Sequence, residues 1–513
     1  MKGLDRREFL KTAGTGMALM SLPNALSSCA GRSLATGPAL AGAGGTAFDS
    51  FGVNVGLLAK VIERGLGRGG DFSEIYLQHK ISHWVSLEDG EVNRAFTKVD
   101  LGAGIRVLKG EATGFAYSED LSTKALLGAA DVAACVADLG GNSRPTDLCQ
   151  QKIETHYPVE VPWSEVGIDK KLPILEHVDA VARARDKRIL KVSSSINDEA
   201  CRILVANSDG LWIEDEQPMA VLTVSCVAEQ DGKTETSGHG VAARDGLRFL
   251  SLQHIEDTAQ RAVDHTVLLF DTVPCPVGEI PVVLAPGISG ILLHEAMGHG
   301  FEADFNRKGI SIFASRMGQR IAPEDVTILD DGTGAIRGSI NIDDEGTPAQ
   351  KTVLVENGIL RSYLHDRISS KHYGVPSTGS GRRESFRFPP VPRMRNTYML
   401  NGGRSAEEII GSVERGLYAE LFSNGQVNIG AGDFTFYLKH GRLIENGKLG
   451  PYVKDANLIG SGPKVLAAVQ MVGNDMKLES SAGYCGKDGQ RVPVGFGLPT
   501  LKVGAISVGG RST

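Results

Sequence analysis

Aromatic residues are scarce in this chain: 17 Phe, 10 Tyr and 3 Trp make up 6% of its 513 residues. Binding by stacked aromatic rings, as on single-stranded nucleic acid, is therefore disfavoured. Positive charge is not in excess either. There are 54 Lys and Arg against 61 Asp and Glu, a formal net charge of −7. No basic surplus exists to neutralise a phosphate backbone, so no nucleic-acid partner is expected. No run of residues approaches the ~18 consecutive apolar positions of a membrane span. Cysteine is sparse and unpatterned: Cys29, Cys135, Cys149, Cys201, Cys226, Cys275 and Cys485, with no Cys-x-x-Cys pair. A disulfide framework is not expected at this length, and most of these thiols read as small buried apolar groups.

Glycine, by contrast, is abundant, with 64 residues. That is about 12% against an average near 7%, which favours tight turns and strands over long helices. Hydrophobic residues at 41% and charged residues at 22% are ordinary globular usage, and the length allows about three domains or two large ones. At the N-terminus, Arg6-Arg7 precede a mild apolar stretch, Thr12 to Leu26. The pairing resembles a twin-arginine export signal, and Leu26-Ser27-Ser28-Cys29 has the form of a lipobox. Residues 1–29 are expected to be an address and 30–49, small and Gly/Ala-rich, a flexible tether. The expected product is exported by the twin-arginine route, periplasmic or held at a membrane by a lipid on Cys29.

The remainder divides by texture. Helical spacing marks Val53 to Arg64, Leu121 to Leu139, Leu172 to Arg188 (with Pro173 in its first turn) and Leu250 to His265. Between them, Ile75 to Asn93, Ala103 to Ala116 and the segments around Ile203 and Ala220 to Cys226 alternate like strands. Residues 50–280 thus predict an α+β domain, closed by Pro274, Pro276 and Pro281. From 281 to 513, one helix near Ser289 to Glu302 is followed by short alternations split by turns such as Glu356-Asn357-Gly358 and Glu445-Asn446-Gly447, the syntax of hairpins. The fold class is α+β, with a mainly antiparallel C-terminal domain carrying that helix.

The sharpest local feature is His294-Glu295-Ala296-Met297-Gly298-His299, two imidazoles around a carboxylate. Five residues of regular helix turn about 500°, so the two rings would diverge by ~140° and could not share an ion. A widened π-type turn cuts this to ~50°. Gly298 and Gly300 make a distortion, or a helix end, inexpensive. The spacing therefore predicts a break near Gly298. Two histidines leave a zinc site one protein ligand short. Cys485, among small neighbours, is a candidate, with Asp304, Glu302 and His365 as rivals. Gly379-Ser380-Gly381-Arg382-Arg383-Glu384 offers adjacent cations that suit substrate carboxylates or carbonyls, although a solvated loop or an internal ion pair explains them as well. His239 is a candidate for lining the cleft, against a plain surface loop. Asp330-Asp331-Gly332 and Asp343-Asp344-Glu345-Gly346 lack calcium-loop spacing and read as turns.

His294 through Asp304 resembles the signature of the TldD/PmbA metallopeptidases, once called modulators of DNA gyrase. Asp343-Asp344-Glu345-Gly346-Thr347-Pro348, Gly381-Arg382-Arg383-Glu384-Ser385, Pro392-Arg393-Met394, Met471-Val472-Gly473-Asn474-Asp475 and Cys485-Gly486-Lys487-Asp488-Gly489-Gln490 follow in order. The match is dense over 282–510 and fainter over 50–280. It points to the catalytic TldD branch. The resemblance implies His294, His299 and Cys485 as zinc ligands and Glu295 as the catalytic carboxylate, hydrolysing unfolded or extended peptides. It also implies a two-subunit assembly, a homodimer or a heterodimer with a PmbA/TldE-like subunit. The export signal is a departure from that family's familiar cytoplasmic members. Two other readings compete: a catalytically silent peptide-binding or scaffold subunit, and a metal-dependent amidase on a modified peptide.

Overall fold

The computed structural model describes residues 45–137, 144–479 and 483–510. The expected export signal, Cys29 and most of the tether lie outside them. Among the described residues no helix is long and apolar enough to cross a membrane.

The N-terminal half is built on one long hairpin. Phe72–Glu88 and Glu91–Lys109 pair antiparallel along their full length. Between them Asp89 (φ 54°) and Gly90 (φ 80°) form the turn. Two consecutive positive φ values are what a two-residue turn matching the strand twist requires, and Asp-Gly tolerates them. Ile189–Asn207 pairs on the other side of Phe72–Glu88 and then branches, joining Leu211–Glu216 over one part and Met219–Gln230 over another; Lys233–Ala243 completes that branch.

Alternation then sorts the two faces of this sheet. Ile75, Leu77, Ala103, Ile105 and Val107 pack under the helices Val55–Leu66 and Thr123–Ala134. Further along the same face, Val85, Val192, Ile196 and Leu222 pack under the helices Ile168–Arg185 and Leu252–Val267. Asn54, Ser122 and Ser251 cap three of these helices, each side chain accepting a backbone N–H of the first turn. The opposite face, Tyr76, Ile203, Val205 and Ile213, packs against Ile342 and Phe386 of the C-terminal half.

Several boundaries shift by two residues or more from the sequence expectation, and one of the shifts has a visible cause. The third helix runs Ile168–Arg185 rather than Leu172 to Arg188, so Pro173 is its sixth residue and not in its first turn. It ends early because Asp186 leaves helical geometry (φ −152°, ψ 129°) and its carboxylate accepts both the backbone N–H and the guanidinium of Arg188.

The C-terminal half has two principal sheets. In the first, Leu501–Gly510, Gly278–Leu284, Arg415–Asn428, Asp433–Glu445 and Lys448–Ser461 pair in that order, and Lys448–Ser461 pairs back to Leu501–Gly510, closing a five-stranded ring. The second runs Ile359–Leu360, Lys351–Glu356, Ile328–Asp331, Asn396–Met399, Gly495–Leu498, Lys477–Glu479. Pairing is mainly antiparallel, with parallel exceptions at Gly278–Leu284 with Arg415–Asn428, Thr272–Val273 with Lys448–Ser461, and Asn396–Met399 with Gly495–Leu498. The short helix Gly290–Ala296 is wedged between the ring and the second sheet. Gly290 permits this: a Cβ there would stand 2.7 Å from the backbone N of Gly497.

The two halves are joined by buried charge. Arg106 donates to Glu74 and to Glu345, both at 2.7 Å, and Arg383 donates to the other oxygen of Glu74 at 2.7 Å. All four side chains are buried. Two guanidiniums against two carboxylates leave no net charge in this contact, which is the condition for burying it.

Candidate metal centre

The helix bearing His294 and Glu295 stops at Ala296. Met297 leaves helical geometry (φ −130°, ψ −44°), and Gly298–Phe301 tighten into a 3₁₀ turn. The break falls where the five-residue spacing demanded one. It brings the two imidazole rings to a centroid separation of 5.4 Å. A Cβ at Gly298 would meet Met394 Sδ at 2.0 Å, so the buried Met394 side chain would have to shift to admit one.

Cys485 arrives on the strand Tyr484–Lys487, paired with Gln490–Pro493. Its Sγ lies 3.3 Å from His299 Nε2. Donor atoms of His294, His299 and Cys485 all fall within 4.8 Å of one another, and all three residues are buried. Burial alone would raise the Cys485 thiol, but the adjacent His299 and His294 outweigh it and hold the group well below its ordinary value. Burial would lower His299, but Glu302 and Cys485 push it well above the ordinary imidazole range. The protein thus prepares a thiolate facing two imidazoles. Both ring nitrogens of His294 are buried without a hydrogen-bond partner. An unsatisfied buried group costs ~1–3 kcal/mol, which a cation on one lone pair would relieve. Thiolate plus imidazole is a donor set for a borderline-soft divalent ion, so the residues present fit a metal.

Glu295 has 22% of its side chain exposed and an oxygen 3.7 Å from His299 Nε2. It is the group of the motif that solvent or substrate reaches. Behind the cluster, Glu302 Oε2 lies 3.0 Å from His299 Nδ1. This fixes the ring so that Nε2 faces the sulfur, the outer-shell arrangement that orients a ligating histidine. Lys487 stands 3.1 Å from the same carboxylate oxygen and donates to Asp304 Oδ1 at 2.7 Å. Burial raises Glu302, yet Lys487 and His299 together hold it down to about 2. Arg393 donates to the Cys485 carbonyl at 2.6 Å.

Of the rivals to Cys485, Glu302 and Asp304 therefore serve the cluster from behind. His365 packs between Tyr363 and Tyr373, outside the group. Sequence reasoning missed Lys487. The signal was available, because the period of two along a strand puts positions 485 and 487 on one face, and both are buried there.

The other candidate residues lie elsewhere. Arg382 donates to the carbonyls of Met394 and Pro493, and Arg383 belongs to the buried ion pair with Glu74. The internal reading of Arg383 is the one the structure has. His239 is not in the donor group. It lines a cavity of about 860 Å³ with His265 and His440, its ring 5.6 Å from that of His265. Ile288 and Glu479 also line that cavity.

A buried His/His/Cys group with a partly exposed carboxylate beside it is the equipment of a metal-dependent hydrolase. Comparison with known proteins agrees. The PmbA/TldA metallopeptidase domain models match at residues 73–137 (domain 1), 161–270 (central domain) and 277–510 (C-terminal domain). The metalloprotease TldD homolog of Buchnera aphidicola subsp. Acyrthosiphon pisum is 40% identical over 448 residues, 86% of this chain and 93% of its own. That of Haemophilus influenzae is 39% identical over 449 residues, with the same coverage. A zinc metalloprotease TldD homolog of Saccharolobus solfataricus is 35% identical over 238 residues, 45% of this chain and 52% of its own. In fold, the chain resembles a putative modulator of DNA gyrase from Bacteroides thetaiotaomicron (TM-score 0.70, 18% identity, 89% of this chain and 98% of that one). It also resembles TldE from Thermococcus kodakarensis (TM-score 0.68, 23% identity, 88% and 100%). The chain belongs to the PmbA/TldD metallopeptidase family.

Proposed function

We propose that this metallopeptidase is zinc-dependent and cleaves peptide bonds of unfolded or extended peptides, with Glu295 as general base. The observation that carries the reading is the burial of His294, His299 and Cys485 together with the exposure of Glu295 beside them. Zinc is the ion best suited to one thiolate and two imidazoles, and it supplies Lewis acidity towards a water and a scissile carbonyl. The chain's own residues do the rest. Glu295 takes the proton of the attacking water and returns it to the leaving amine. Glu302 keeps the His299 ring in the orientation that leaves Nε2 free. The walls around the cluster exclude bulk water, which strengthens each of these interactions.

An extended substrate is supported by the strand Lys477–Glu479, the last of its sheet. It neighbours Gly495–Leu498, whose Phe496 ring lies 6.4 Å from that of His294. A sheet edge so close to the cluster would accept a peptide by main-chain hydrogen bonds, reading extension rather than sequence. A two-subunit assembly, with a second copy or a TldE-like partner, and export through the Arg6-Arg7 signal with Cys29 as lipid anchor complete the proposal.

The test is cleavage of an unfolded peptide by the full chain, with bound metal measured in parallel. Chelation should abolish cleavage and zinc should restore it. Glu295→Gln should keep its metal and lose about 10²–10⁴ in turnover, the range of a positioned acid–base group. Full turnover in that variant, or cleavage indifferent to chelation, overturns the reading.

A further inference from the structure

Three guanidinium groups sit buried near the junction of the two halves without forming an ion pair with any described residue. Arg244 donates to the carbonyls of Ser339 and Pro218. Arg337 donates to the carbonyl of Gly483 and to the Met219 sulfur, and its Nη2 is buried with no partner. Arg382 donates only to two carbonyls. Their exposures are 5%, 0% and 3%. Buried charges in proteins are ordinarily paired, because removing a lone cation from water is strongly unfavourable. Three buried guanidiniums in one region with no carboxylate in direct contact form an exception that needs a physical cause.

Beside them lies a cavity of about 320 Å³, lined by Arg244, Arg382, Arg383 and Arg491 together with Gln78 and Gln217. The carboxyl groups on its wall are held by Lys80 or by backbone N–H groups rather than by these three guanidiniums. Glu199 stands 3.9 Å from Lys80. Asp343 accepts the backbone N–H groups of Glu345, Thr347 and Gly381. Asp344 accepts that of Arg383 and Glu384 that of Arg491. Arg383 is matched by Glu74. With Lys80 facing Glu199 and Arg383 matched by Glu74, the guanidiniums of Arg244, Arg382 and, behind the Tyr484 ring at 4.4 Å, Arg337 are the ones left with no carboxylate oxygen in ion-pair contact, Asp215 and Asp344 acting on Arg244 and Arg382 only from a longer distance. The same imbalance is felt by Arg382 itself: burial and the neighbouring Arg244 pull it down to about 9, with Asp344 offsetting this only in part.

We propose that this cavity binds a carboxylate, which supplies the missing counter-charge to Arg244 and Arg382. Planar guanidiniums present paired N–H donors that match a carboxylate's two oxygens, and the amides of Gln78 and Gln217 add neutral donors. The volume suits a small acid or the end of a peptide. The site is distinct from the metal cluster. Tyr484 lines the cavity, whereas Cys485, the next residue on the same strand, faces the imidazoles on the other side. An occupant would brace the strand that delivers the sulfur. The inference stands without the peptidase reading, since it concerns binding alone.

The experiment measures saturable binding to the full chain at low ionic strength, by calorimetry and by shift of the unfolding temperature. Three probes are used: succinate, trialanine with a free C-terminus, and trialanine amide. Succinate or free trialanine should bind and raise the unfolding temperature, while trialanine amide and chloride at equal ionic strength should not. Binding of succinate alone assigns the site to a free acid, and binding of free trialanine assigns it to a peptide end. Arg244→Gln should weaken binding at least about tenfold, the worth of one charge-assisted hydrogen bond. Arg491→Gln, at an exposed position, should weaken it less, and it decides the question if Arg244→Gln is unstable. Glu295→Gln should bind like the parent protein, which separates this result from the fate of the peptidase reading. Absence of saturable binding, or parental affinity in both arginine variants, overturns the proposal.

Discussion

Cys485 Sγ lies 3.3 Å from His299 Nε2, across 186 positions of chain. The histidine is presented by a helix that stops, and the cysteine by a two-stranded hairpin. Together the two elements deliver a sulfur and an imidazole nitrogen, with a second imidazole beside them, to one buried point, the donor set that a shared cation takes. Cys485→Ser keeps the size of the group and exchanges thiolate for a hydroxyl, a poor zinc ligand at neutral pH. Losing a direct ligand should cost more than losing an outer-shell partner, so a fall in metal affinity of at least about 100-fold is expected. Chelator competition measures it. Parental affinity in Cys485→Ser would remove the sulfur from the site.

Glu302 acts through His299 and should behave differently. Glu302→Gln retains an oxygen that accepts from Nδ1 but deletes the charge that Lys487 and His299 share. Metal affinity should fall by about 10–100-fold. Turnover at saturating metal should be affected far less, because Glu302 meets no substrate. A loss of turnover as deep as that of Glu295→Gln, with metal retained, would give Glu302 a chemical role instead.

Parts of this arrangement are legible in sequence and parts are not. The His294-Glu295-His299 spacing is local, and helix geometry alone shows that a break must follow, which the structure places at Met297. The helices over Val55–Leu66 and Leu252–Val267 are legible for a similar reason: one face repeats every three to four residues. The start of the helix at Ile168 is not, because Gly167 provides no capping side chain to announce it. Cys485 was one of four candidates by residue chemistry, and only the family resemblance chose it. Nothing local joins Arg106 to Glu74 and Glu345, which lie 32 and 239 positions away. Likewise nothing local joins Lys171 to Asp198, against which it is buried at 2.6 Å. Pairings of this kind are set by tertiary packing, and a periodicity argument carries no information about them.

The wedge that positions the site helix has its own consequence. Gly290→Ala would drive a methyl group into the backbone of Gly497. Backbone cannot rotate aside as a side chain can, so the helix must lift off the strand. Overpacking of this kind costs about 1–3 kcal/mol. His294 lies one turn further along the same helix, so metal affinity should fall together with the unfolding temperature. A destabilised protein with unchanged metal affinity would show that the helix end is held independently of its start.

The contact between halves should also leave a pH signature. Asp215 accepts from Asn341 Nδ2 at 2.8 Å and from Gln217 Nε2 at 3.2 Å. Burial pushes its carboxyl up to about 6, and these hydrogen bonds only partly offset that. An acid whose folded pKa exceeds its unfolded value keeps its proton longer in the folded state. Between about pH 4 and pH 6 the folded chain therefore binds more protons than the unfolded chain, and stability falls as pH rises. One such group contributes a slope approaching 1.4 kcal/mol per pH unit within that window. Below it the contribution is favourable and constant, and above it the full penalty is present. Asp215→Asn removes the charge while keeping an oxygen for Asn341. The variant should thus gain stability over the parent as pH climbs from about 4 to about 6, with the difference levelling off above. Chemical unfolding of both proteins across that range checks it. A difference that stays flat through the window would mean that Asp215 ionises normally and that the junction is wetter than its burial implies.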